Sequence, residues 1–104
     1  MNIKFNYLYR DSGNYKQHSH VIFSNPLNRN VSDILKIVIA HLKVDNLFPA
    51  EEWGVPDLHF EDWDDELDYA MHEFENIEET TLKPTIYFNL ERFLALIKMS
   101  GRCK

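Results

Sequence analysis

The sequence has few features that would crosslink the chain or hold it in a membrane. Its single cysteine, Cys103, excludes an intrachain disulfide and fits a reducing compartment. No stretch approaches the roughly 18 consecutive apolar residues of a membrane span. The first eleven residues lack the apolar core of a signal peptide. We therefore expect a cytoplasmic protein that does not bind a membrane.

Glycine and proline are also scarce, with three and four residues among 104, which argues against a low-complexity or linker-rich chain. Gly13, Gly54 and Gly101 are scattered, so the sequence contains no glycine-rich phosphate loop. Hydrophobic residues make up 44% of the chain, which is enough to form one core. We expect a single domain over residues 1–104.

Positive charge is missing from the middle of the chain. Residues 44–82 contain fourteen Asp and Glu and no Lys or Arg, whereas residues 1–43 carry six Lys and Arg against two acids. Residues 83–104 are basic again, and the net charge is -6. A general nucleic-acid binder is expected to be basic overall. This balance argues against that class, and we expect no direct contact with nucleic acid.

The N-terminal residues predict a β-hairpin. Ile3, Phe5, Tyr7 and Tyr9 alternate with mostly polar residues, which is the pattern of a half-buried strand with these four side chains in the core. Asp11-Ser12-Gly13-Asn14 is a turn sequence, and YKQHSHVIFS after it has the composition of a returning strand.

Three helices are predicted farther along the chain. Ser32 is a suitable N-cap for SDILKIVIAHLK, and Asn89 is one for LERFLALIKM. Between them, an apolar stripe from Trp63 to Ile77 recurs at helical spacing and predicts a helix over residues 63–77. Residues 45–56 contain proline and glycine and are predicted to form a loop, in which Leu47, Phe48 and Trp53 anchor the chain to the core.

Two short segments complete the prediction. DLHF at residues 57–60 is interpreted as a short extended piece, and TIYFNL at residues 85–90 has the composition of a strand. The resulting order is β-β-α-loop-α-β-α, without strict alternation of strand and helix. We therefore predict an α+β fold with a small, mainly antiparallel sheet packed with two or three helices.

The acidic segment is the main indication of function. On a helix over residues 63–77, its carboxylates would have no Lys or Arg neighbour at four-residue spacing, although such pairs stabilise a helix by roughly 0.2–0.5 kcal/mol each. We interpret this segment as a surface for a basic protein partner, as in inhibitors, immunity proteins or anti-defence proteins. A merely solvated acidic face is the alternative. The predicted contact residues are Asp64, Asp65, Asp68, Glu75, Glu79 and, as an anchor, Trp53.

A metal site is a second hypothesis. Imidazole and carboxylate groups bind Zn, Mn or Fe, and the candidate ligands are His18, His20, His59, Asp68 and His72. The sequence contains no nucleophile elbow and no cysteine beside a positioned base. The leading expectation is therefore binding without catalysis and without a cofactor, and the oligomeric state stays open.

Three stretches also carry a resemblance. YRDSGNYK, VIFSNP and WGVPDLHFEDWDDELDYAMHEFE, within residues 7–79, are similar to a set of small uncharacterised bacterial proteins. The resemblance does not extend beyond Thr80. It implies a bacterial or mobile-element origin, and because no function is attached to those proteins, it assigns no role to any residue.

Overall fold

A computed structural model describes residues 1–10, 13, 15–58 and 71–100. It contains one four-stranded antiparallel sheet and three helices, which confirms the predicted α+β class. The sheet has the order β2-β1-β4-β3, and its strands are β1 (Asn2–Arg10), β2 (Lys16–Phe23), β3 (Leu47–Phe48) and β4 (His72–Thr80). The helices are α1 (Val31–His41), α2 (Ala50–Trp53) and α3 (Leu90–Ser100).

The predicted hairpin is confirmed. Strands β1 and β2 pair antiparallel, with Phe5 opposite Val21 and Tyr7 opposite Ser19. Ile3, Phe5, Tyr7 and Tyr9 are all buried, as their alternation predicts. Side chains of β1 therefore leave the sheet on two faces, one covered by the helices and one that carries the polar residues.

Aromatic side chains fill the covered face of the sheet around Phe5. The rings of Phe48, Phe74 and Phe93 lie 5.5, 5.4 and 5.1 Å from that of Phe5, measured between centroids. Trp53 stacks on Phe48 at 4.6 Å, and the Trp53 side chain has no exposed surface. Of the predicted loop anchors, Phe48 and Trp53 are thus in the core, and Leu47 is half-buried.

The two long helices occupy their predicted positions. Helix α1 begins at Val31, one residue before the predicted cap at Ser32, because the side chain of Asn30 accepts a hydrogen bond of 2.9 Å from the backbone N–H of Asp33. In α3 the predicted cap is confirmed, since the Asn89 side chain accepts from the backbone N–H of Arg92 at 3.0 Å.

An ion pair joins the chain before α1 to the first turn of α3. The guanidinium of Arg29 donates from Nε and Nη2 to the two oxygens of Glu91, at 2.6 and 2.9 Å. These hydrogen bonds lower the pKa of the Glu91 carboxyl, and the positive charge of Arg29 adds to the effect.

The predicted helix over residues 63–77 is wrong for residues 72–77, which belong to β4. Residues 63–70 lie outside the described residues. A β-bulge explains the error: Tyr7 pairs with Phe74 and Asn6 with Asn76, so Glu75 is an extra residue in β4. The bulge places buried Phe74 and Ile77 three residues apart, which is the spacing of a helix face.

The predicted strand over residues 85–90 is also wrong. Residues 85–88 form bends, and Leu90 already belongs to α3. One residue of this segment pairs with the sheet: Thr85 donates its backbone N–H to the carbonyl of Ile22, and its Oγ1 accepts from the N–H of Ile22, both at 2.9 Å. In this segment with strand-like composition, Thr85 hydrogen-bonds to the outer edge of β2, but the segment does not form a strand.

The predicted loop over residues 45–56 contains regular structure. A 3-10 turn at Val44–Asn46 leads into β3, and α2 follows. Gly54 ends α2 in the left-handed region, with φ of 81°. An added Cβ there would lie 3.0 Å from Cδ1 of Leu96 and 3.1 Å from Cζ of Phe88. The proline and glycine signals therefore mark the ends of a short helix.

Asp57 and Leu58 of the predicted extended piece are in no strand, and residues 59 and 60 lie outside the described part of the chain.

Among the described residues, no helix has both the length and the apolar character that a membrane crossing requires.

We predict that Phe5→Ala lowers the free energy of unfolding by about 3–5 kcal/mol, because it removes the ring on which the aromatic core packs. Urea unfolding measures the change. The matched control is Tyr87→Ala, whose side chain is 97% exposed and whose loss should change stability by less than about 0.5 kcal/mol. Equal losses in the two variants would contradict the assignment of Phe5 to the centre of the core.

Candidate interaction surface

The face of the sheet opposite the aromatic core carries polar side chains on three adjacent strands. In antiparallel pairs, residues directly opposite one another project from the same face. Asn6 of β1 is opposite His20 on one side and Asn76 on the other, while Leu8 is opposite His18 and Glu73. Lys4, Arg10 and Lys16 project from the same face, since Lys4 is opposite Glu78 and Lys16 is opposite Arg10. We call this surface the open face, and its central polar residues are Asn6, His18, His20, Glu73, Glu75, Asn76 and Glu78.

Glu75, the extra residue of the bulge in β4, extends its side chain across the open face to β2. Its Oε1 lies 2.9 Å from Nδ1 of His18, although β1 separates the two strands. Because a carboxylate only accepts, the imidazole donates this hydrogen bond from Nδ1. A negative charge from the central strand β4 thus stands beside β2.

A second set of hydrogen bonds continues the polar surface. The side-chain amide of Asn6 donates to Oδ1 of Asn76 at 2.6 Å and to Oε2 of Glu78 at 2.9 Å. A groove of about 330 Å³ runs over these side chains and is lined by Asn6, His18, Ser19, His20, Glu75, Asn76 and Glu78. Two carboxylates, those of Glu75 and Glu78, line the groove, so it is suited to a cationic or hydrogen-bond-donating group.

A wider cleft adjoins the open face at the end of β1. It has a volume of about 620 Å³ and is lined by Arg10, Val44, Asp45, Asn46, Leu47, Met71 and Glu73. Nε of Arg10 donates to Oε2 of Glu73 at 2.8 Å. This hydrogen bond raises the pKa of the guanidinium, so the cleft holds a cation already paired with a carboxylate.

Beneath the sheet, His72 fixes the backbone that precedes the acidic segment. It is 1% exposed, and its Nε2 accepts a hydrogen bond of 2.9 Å from the backbone N–H of Leu58. The Asp57 carboxylate lies 3.5 Å from the same nitrogen. His72 serves as a buried acceptor for a loop.

Tyr7 secures the same loop from the neighbouring strand. Its hydroxyl donates to the carbonyl oxygen of Pro56 at 2.7 Å. Burial raises the pKa of the phenol, and the negative charge of Asp57 raises it further. Tyr7 is therefore a hydrogen-bond donor of the core.

The predicted acidic contact residues are placed differently from the expectation. Asp64, Asp65 and Asp68 lie outside the described residues. Glu75 and Glu79 are both exposed, but they belong to a strand, and they do not share a face. Glu75 is on the open face, whereas Glu79 pairs with buried Ile3 and projects on the helix side of the sheet.

The prediction that Trp53 anchors a protein partner is corrected, because its side chain is buried. Its ring is enclosed in the aromatic core, and Nε1 donates to Oγ of Ser100 at 3.1 Å. A side chain without exposed surface has none to present to a partner, so Trp53 is a structural residue.

The three candidate metal ligands that the structure describes do not all lie together. His18 and His20 are on the open face, whereas His72 is buried on the opposite face of the sheet. His59 and Asp68 lie outside the described residues. Within residues 1–10, 13, 15–58 and 71–100, no three His, Cys, Asp or Glu side chains are arranged to hold a metal ion.

The sequence alternation correctly places Asn6 on the polar face of β1, but Asn6 was not among the predicted contact residues. Asn76 and Glu78 were missed, because the bulge and the assumed helix concealed which face of β4 they occupy.

Comparison of the chain with protein-family models, with curated proteins and with solved structures found no match.

We predict that Tyr7→Phe makes the stability of the protein less sensitive to alkaline pH. A phenol with a raised pKa in the folded state keeps its proton while the unfolded chain loses it above about pH 10, so wild-type stability falls as the pH rises. At neutral pH the variant should lose about 0.5–1.5 kcal/mol with the Pro56 hydrogen bond. That deficit should shrink between about pH 9 and pH 11 in urea titrations.

The control for this titration is Tyr87→Phe, because the Tyr87 side chain is exposed in the folded protein. It should keep the wild-type dependence on pH. A constant deficit for Tyr7→Phe across this range would contradict the raised pKa.

Proposed function

We propose that the protein is a small interaction module that binds a basic surface of another protein through its acidic middle segment. The contact surface is the open face, with Glu75 and Glu78 as its main charged residues. It would act as inhibitors and immunity proteins do, by occupying a site rich in Lys and Arg. Carboxylates on such a surface increase the rate of encounter and select the partner by charge.

The observation that carries this proposal is the position of β4 in the sheet. Its glutamates are attached to a strand that also contributes Phe74 and Ile77 to the core, so they stand on a rigid support. Neighbouring Asn6 and His18 hold the carboxylates of Glu78 and Glu75 in place. Preorganised charges lose little conformational entropy on binding, which favours a recognition role.

We include the acidic residues at positions 61–68 in the proposed contact segment because of their charge and their place in the sequence. They include Asp64, Asp65 and Asp68, and they precede β4 directly in the chain. Together with Glu73, Glu75, Glu78 and Glu79, they make ten acids within residues 60–79, without a Lys or Arg. A basic partner would supply the positive charges that this part of the chain lacks.

We predict that Glu75→Gln/Glu78→Gln weakens the binding of poly-L-lysine about fivefold, because it removes both carboxylates from the groove of the open face. Fluorescence anisotropy of the labelled polymer measures the affinity. Wild-type affinity should also fall as the salt concentration rises from about 50 to about 500 mM.

The matched control is Glu51→Gln/Glu52→Gln, which removes the same charge from exposed positions on α2. It should bind almost as tightly as wild type. Equal weakening in the two double variants would mean that net charge alone attracts the polymer. That result, or binding that does not depend on salt, would refute the open face as the contact surface.

A further inference from the structure

Strand β2 lies at the edge of the described sheet, and the described residues leave part of that edge without a paired strand. Among the described strands, only β1 pairs with it. At Ile22 the outer edge is occupied by Thr85, through the two hydrogen bonds described above. Lys16, His18 and His20 come before this covered position and are all exposed.

The pairing at Ile22 establishes which backbone groups face outward. In an antiparallel strand, the N–H and C=O of alternate residues point to the same edge. Because both backbone groups of Ile22 bond to Thr85, those of His20, His18 and Lys16 also point away from β1. Thr85 thus shows, at one residue, that the outward N–H and C=O of β2 can form hydrogen bonds with a neighbouring segment.

Negative charge reaches this edge from β4. The Glu75 carboxylate contacts the imidazole of His18, and Glu78 lines the same groove as His20. A strand added to β2 would place alternate side chains on the open face, next to these groups. Lys or Arg at those positions would approach Glu75, whereas Asp or Glu would be repelled.

We infer that the partner contributes an extended basic segment that adds to the sheet at β2 by strand addition, with main-chain hydrogen bonds to His18 and His20. This inference rests on the proposed function and names the form of the partner. Main-chain pairing supplies affinity in such complexes, and alternate side chains supply specificity.

The charges argue against a second copy of the chain as the added strand. Antiparallel self-pairing about His18 would bring Lys16 of each copy beside His20 of the other and would bring the two Glu75 carboxylates toward each other. Like charges at opposed positions destabilise a strand pair. A basic segment avoids the repulsion between carboxylates.

The test uses two fluorescein-labelled peptides of equal charge, one alternating lysine with valine and one alternating Nα-methyl-lysine with valine. Only the first can pair with β2, since methylation removes the lysine backbone N–H groups that would face His18 and His20. We expect the wild-type protein to bind the lysine–valine peptide about tenfold more tightly. We also expect His20→Pro to bind that peptide about tenfold more weakly than His20→Ala, because both variants lose the imidazole and only the proline variant loses the outward N–H.

If His20→Pro does not fold, amide hydrogen exchange of the wild-type protein tests strand addition at β2. The amides of His18 and His20 should exchange more slowly once the lysine–valine peptide is bound. Unchanged exchange, or equal affinity for the two peptides, would overturn strand addition. Either result leaves the proposed function intact if Glu75→Gln/Glu78→Gln still weakens poly-L-lysine binding.

Sedimentation velocity tests whether two copies of the chain associate through the β2 edge. We expect no concentration-dependent dimer. A dimer that His20→Pro abolishes and His20→Ala preserves would overturn the inference, because it would assign the edge to self-association.

Discussion

The antiparallel pairing of β4 with β1 is the constraint on which the rest of the structure depends. It brings the acidic half of the chain against the apolar hairpin, so that Phe74 and Ile77 complete the core. The same pairing turns neighbouring glutamates toward solvent. Contacts so distant in sequence form only after a long loop has closed, and they decide the structure of a segment whose local pattern favours a helix.

Local signals were sufficient where the contacts are local. Alternation in β1, the turn after it and the cap at Asn89 correctly predicted the hairpin and α3. The failure over residues 72–77 has one physical cause, which is the extra residue Glu75. A bulge changes a period of two into a step of three, and a single sequence offers no means of separating that step from a helix turn.

The sequence predicted the negative charge of the candidate contact segment but not the arrangement of its side chains. The absence of Lys and Arg from residues 44–82 identified the acidic segment. The contact between Glu75 and His18 depends on strand order, which places β1 between them. Trp53 was predicted both to anchor its loop to the core and to contact a partner. The short helix α2 buries it, which agrees only with the first prediction.

The hydrogen bond between His72 and Leu58 has a consequence for how this chain can evolve. It joins Leu58 to His72, the first residue of β4. Removing the acceptor would leave the buried N–H of Leu58 without this hydrogen bond, at a cost of about 1–3 kcal/mol. Substitutions at position 72 are therefore limited to side chains that can accept this hydrogen bond within the core.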